Sequence, residues 1–96
     1  MITTTLSVPK QVRENVEKYF AGSVGLINHE PVAIGQHRGS EPNIYVVLAK
    51  QVHGGKWAVW TCWNEEKQTL YHGHTGLTEC DAMRLFLNIG NLPEEV

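Results

Sequence analysis

Two runs of strand-forming residues flank a Gly-Gly pair in the middle of the chain, and this feature limits the fold more than any other. Residues 43–52 read NIYVVLAKQV and residues 57–63 read WAVWTCW, with His53-Gly54-Gly55-Lys56 between them. β-Branched and aromatic side chains favour a pleated strand, and two glycines accept the positive φ of a tight hairpin turn. A second turn over residues 64–67 leads into a third run, QTLYHGH at residues 68–74. Three runs joined by short turns give an antiparallel meander.

Helical patterns lie on either side. Val8, Val12, Val16, Tyr19 and Phe20 form one apolar stripe, with Arg13, Glu14, Glu17 and Lys18 on the opposite side. This spacing predicts an amphipathic helix over residues 8–21, with Ser7 as cap, Pro9 in the first turn and Gly22 as a left-handed stop. Thr78 is placed to cap a second helix, with Asp81 in the capping-box position. Ala82, Met83, Leu85, Phe86, Leu87 and Ile89 leave only a narrow polar stripe there, so that helix is expected to be buried on most sides. Residues 25–38 are weakly extended, and Pro31 suits an edge strand or a turn. The expected fold is α+β: an N-terminal helix, a three- to five-stranded antiparallel meander and a C-terminal helix packed on the sheet. One small domain is expected over residues 1–96, with an ordered core of about 7–91.

A two-residue Gly54-Gly55 turn would fix the register. Val52 would then face Trp57, and Lys50, Leu48 and Val46 would face Val59, Thr61 and Trp63. Leu70, His72 and His74 would join that face. Tyr45, Val47, Ala49, Trp60, Cys62 and Tyr71 would take the other. Both faces are apolar, whereas a half-solvated sheet should show one polar face. If two helices pack on one side, aromatic side chains are left exposed on the other, and such patches mark interaction surfaces. Trp57, Trp60, Trp63, Tyr45 and Tyr71 are therefore the candidate interface. The competing expectation is that residues 23–38 fold over the second face, with Val32 and Ile34 as a lid, which makes the tryptophans ordinary core.

Little else points to chemistry. His72 and His74 share a face at two-residue spacing and could offer two imidazoles to a metal or small ligand, but zinc takes three or four protein ligands. Ser7, Ser23 and Ser40 lack the context of a nucleophile, and neither cysteine carries a family signature around it. Glu65 and Glu66 read as solvated turn charges. The formal net charge is −2 and the eight lysines and arginines are dispersed, which disfavours nucleic acid as a partner. Two cysteines and no apolar stretch of membrane-spanning length suit a soluble, cytoplasmic protein with reduced thiols. These features predict a non-enzymatic, cofactor-free module that binds protein or regulates, as a homodimer or as an inhibitor of the kind phages encode. The alternative is a small-ligand or metal-binding domain that uses the His72-x-His74 pair.

Overall fold

The computed structural model describes residues 3–4, 9–37 and 43–91. Ser7 and Val8 lie outside the described residues. Helix α1 spans Lys10–Gly22 and buries Val12, Val16 and Phe20, three members of the expected stripe. Pro9 is the N-cap residue itself, extended at ψ 148°, and its carbonyl accepts the Val12 N–H at 3.1 Å. At the other end Ser23 is extended, so α1 stops without a left-handed residue.

Four long strands follow: β2 (His29–His37), β3 (Ile44–Gln51), β4 (Trp57–Asn64) and β5 (Thr69–Leu77), antiparallel in chain order. The two-residue strands β1 (Thr3–Thr4) and β6 (Gly90–Asn91) pair with the outer edge of β2. β1 runs parallel and meets Ala33 and Ile34; β6 runs antiparallel and meets Gln36 and His37. Pro31 precedes both, beside a register shift, so its missing N–H removes no ladder bond on that edge. Helix α2 (Glu79–Ile89) closes the fold, and Thr78 Oγ1 accepts the Asp81 N–H at 3.2 Å. The chain is thus an α+β fold with an N-terminal helix, an antiparallel sheet and a C-terminal helix on that sheet.

The helices lie on opposite faces of the sheet. Val12, Val16 and Phe20 of α1 pack with Ile34, Tyr45, Val47, Ala49, Ala58, Trp60 and Trp63. Ala82 and Phe86 of α2 pack with Val46, Leu48 and Val59, and with the half-buried Trp57 and Leu77. Strand β3 alternates between these two clusters residue by residue, as a pleat requires. The premise that two helices would share one face is therefore corrected: each covers a face, and an apolar sheet on both sides is the consequence. Residues 29–37 are not a lid but the fourth long strand.

The register also differs from the expected one. Gln51 N–H donates to the Lys56 carbonyl at 2.8 Å, so the loop holds residues 52–55, two more than a Gly-Gly turn alone. Lys50 lies opposite Trp57 and Leu48 opposite Val59. A slip of two residues preserves side-chain parity, so the faces near this hairpin survive the error. Farther along they do not. Val47 pairs with Trp60 but Tyr45 pairs with Trp63, with a bulge between them. One extra residue in β4 reverses the alternation. Trp63 thereby joins Trp60 on the α1 side rather than Trp57 on the other.

Candidate functional site

The five aromatic residues named from the sequence do not form one surface. Trp63 is fully buried, and Tyr45 and Trp60 retain 6% and 8% of their exposure. The Trp63 ring meets Tyr19 edge-on at 5.3 Å, and Trp60 meets Phe20 edge-on at 5.5 Å, arrangements that add to burial alone. A Cβ at Gly73 would stand 2.5 Å from Trp60 Nε1, so the indole occupies the space that glycine leaves on β5. Trp57 is half-buried against α2, with Lys50 Nζ 5.8 Å from its ring centre. Of the five, Tyr71 alone is exposed, on β5.

His72 and His74 are both exposed on β5. His72 has φ 58°, a left-handed backbone that interrupts strand alternation, so two-residue spacing no longer implies a shared face. Among the described residues no group of three or more His, Cys, Asp or Glu side chains could hold a metal ion. Cys62 is half-buried, and burial pushes its thiol pKa up, which disfavours the nucleophilic thiolate. Cys80 is exposed on α2, with Arg84 Nη2 3.6 Å from its sulfur.

Glu65 is not a solvated turn charge. Its carboxylate accepts from Asn15 Nδ2 at 2.6 Å and from Trp63 Nε1 at 2.8 Å. Gln11 Nε2 donates in turn to Asn15 Oδ1 at 3.1 Å. Asn15 is the buried polar side chain of α1, and this chain of bonds satisfies it while tying the helix to the β4–β5 turn. Burial, then the nearby Glu65 charge, raises the Tyr45 pKa. The role of the network is structural.

The surface that stands out lies where β2 begins and β3 ends. Val24, Ile27 and Val52 are 89%, 75% and 56% exposed, the three most exposed large apolar side chains among the described residues. Val24 and Ile27 belong to a single 3₁₀ turn, Val24–Leu26 and its C-cap. Val52 is brought beside that turn by its N–H bond to the Asn28 carbonyl at 2.8 Å. The Asn28 side chain fixes the junction, donating to the His53 carbonyl at 2.9 Å and accepting the His53 N–H at 3.0 Å. A groove of about 390 Å³ opens here, lined by Glu17, Phe20, Ile27, His29, Glu30 and Val52 among others. His29 lies edge-on to Trp60 at 5.5 Å. Its Nδ1 is buried without a hydrogen-bond partner, and burial lowers its pKa. The sequence does not announce this surface, because residues 25–38 read only as a weakly extended stretch, with Val32 and Ile34 as the residues expected to cover the sheet. The one legible signal was two apolar residues three apart in a glycine-containing turn.

The family model described as Large polyvalent protein associated domain 24 matches residues 10–81. The chain belongs to that family. The matched stretch runs from the first residue of α1 into the first turn of α2. Every groove residue named above lies inside it, whereas the exposed Met83 and Leu87 of α2 lie beyond it. No curated protein and no solved structure matches the chain.

Proposed function

We propose that this chain is a non-enzymatic, cytoplasmic protein-binding module that docks its partner at the groove beside Ile27 and Val52. One observation carries the reading: Ile27 and Val52, two of the three most exposed large apolar side chains among the described residues, line a single groove while both faces of the sheet are covered from within. Soluble domains seldom leave such a patch in water without a contact to make. The dispersed basic residues argue against nucleic acid as the partner, and two unpaired cysteines suit a reducing compartment. Among the described residues no helix is long and apolar enough to cross a membrane.

Site-specific photo-cross-linking tests the reading. A photoreactive residue in place of Ile27 should give a discrete protein adduct in cells that carry the full chain. The same residue in place of Asn88 on α2 should give none, and Val52→Asp should remove the Ile27 adduct. Adducts of equal yield from both positions would overturn the assignment of the docking surface.

A further inference from the structure

The groove has a charge as well as an apolar floor, and the charge narrows the occupant. Resting on the docking role just proposed, we infer that the groove takes a segment of a partner protein in which an apolar side chain is flanked by lysine or arginine. Phe20, Ile27 and Val52 supply apolar contact, while Glu17 and Glu30 place carboxylates on the rim. No lysine or arginine lines the groove among the described residues. Glu30 has Lys50 as its cross-strand neighbour, so Glu17, exposed on α1, carries most of the complementarity. His29 supplies no opposing charge near neutral pH, because burial holds its pKa below 6.5. An apolar anchor with an adjacent cation satisfies floor and rim together. An acidic segment would meet like charge, which is costly at an interface.

A volume of about 390 Å³ falls in the range of small-molecule sites, yet its open position on the surface suits a few side chains of an extended segment better than an enclosed ligand. Rim charge acts mainly on encounter and on salt dependence, and the apolar floor acts on residence.

Selection from a random-peptide display library against the intact chain tests this directly. The expected winners carry Leu, Ile, Phe or Met within two positions of Lys or Arg, and they bind more weakly as salt rises. Ile27→Asp, a change at an exposed position, should abolish their binding. Glu17→Lys should weaken it about tenfold and, in a fresh selection, favour acidic flanks. Winners with neutral or acidic flanks that still require Ile27 would overturn the charge inference and leave the docking surface standing. Winners indifferent to Ile27→Asp, or concentration-dependent self-association that occupies the groove in place of any peptide, would overturn both.

Discussion

The two sides of the sheet are built to different standards. On the α1 side Trp63 meets Tyr19 and Trp60 meets Phe20 edge to face, and the Gln11–Asn15–Glu65–Trp63 bonds lock helix to sheet. On the α2 side the cluster is smaller and, among the described residues, carries no such network. Ala82 and Phe86 are the helix residues that reach full burial, while Met83 and Leu87 keep 40% and 46% of their exposure. An apolar composition therefore did not make α2 a buried helix. What a helix buries is set by the width of the surface beneath it, and α2 lies over the β3–β4 strands with one narrow stripe. The contrast separates a side that specifies the fold from a side that covers it.

Matched truncations on the two sides give the largest expected effect. Phe20→Ala should cost about 4–5 kcal/mol, and Phe86→Ala about 3 kcal/mol, because the first also loses an edge contact with Trp60. Urea midpoints would rank them, and equal losses would break the asymmetry. Next, Glu65→Ala leaves the Asn15 amide and the Trp63 indole without an acceptor and should cost about 2 kcal/mol. A change of similar size at the neighbouring Glu66, which is exposed, would deny the network its role.

Titration sharpens the comparison at lower amplitude. The folded pKa of His29 lies below the ordinary 6.5, so the unfolded chain takes up that proton first. Its contribution to stability is complete above about pH 6.5 and is lost as pH falls through the folded value. Stability measured by denaturant should therefore drop as pH falls below the ordinary 6.5, with a shallower drop in His29→Gln. Tyr45 works in the opposite sense. Its raised pKa makes its share complete below about pH 10 and lost as pH rises through the folded value. Smallest of all, Met83→Lys with Leu87→Lys should change stability by less than about 0.5 kcal/mol. A clear loss would show that α2 buries its outer face after all.

The elements of this fold were legible in the sequence and their arrangement was less so. The stripe of Val12, Val16 and Phe20 announced α1, and the β-branched runs around Gly54 announced β3 and β4. The Thr78 cap fixed the start of α2. Face assignment failed at the bulge opposite Val46, because a single inserted residue leaves no mark on composition and yet reverses everything beyond it, and again at the left-handed His72 in β5. Residues 29–37 were hard to read as a long strand because Pro31 sits inside them, tolerated only where the outer edge is unpaired. The groove was the least legible feature. Phe20, Ile27, His29 and Val52 come from three separate stretches and meet only once β2 and β3 are paired.

The central claim is that both apolar faces of the sheet are covered within one chain, not by association through the tryptophans. Exchange of the Trp63 indole N–H tests it most directly, since that group is buried and donates to Glu65 at 2.8 Å. Measured by NMR across a dilution series, its exchange should stay slow and independent of protein concentration. Protection that fades on dilution would mean that a second copy supplies the cover, and the account would fail.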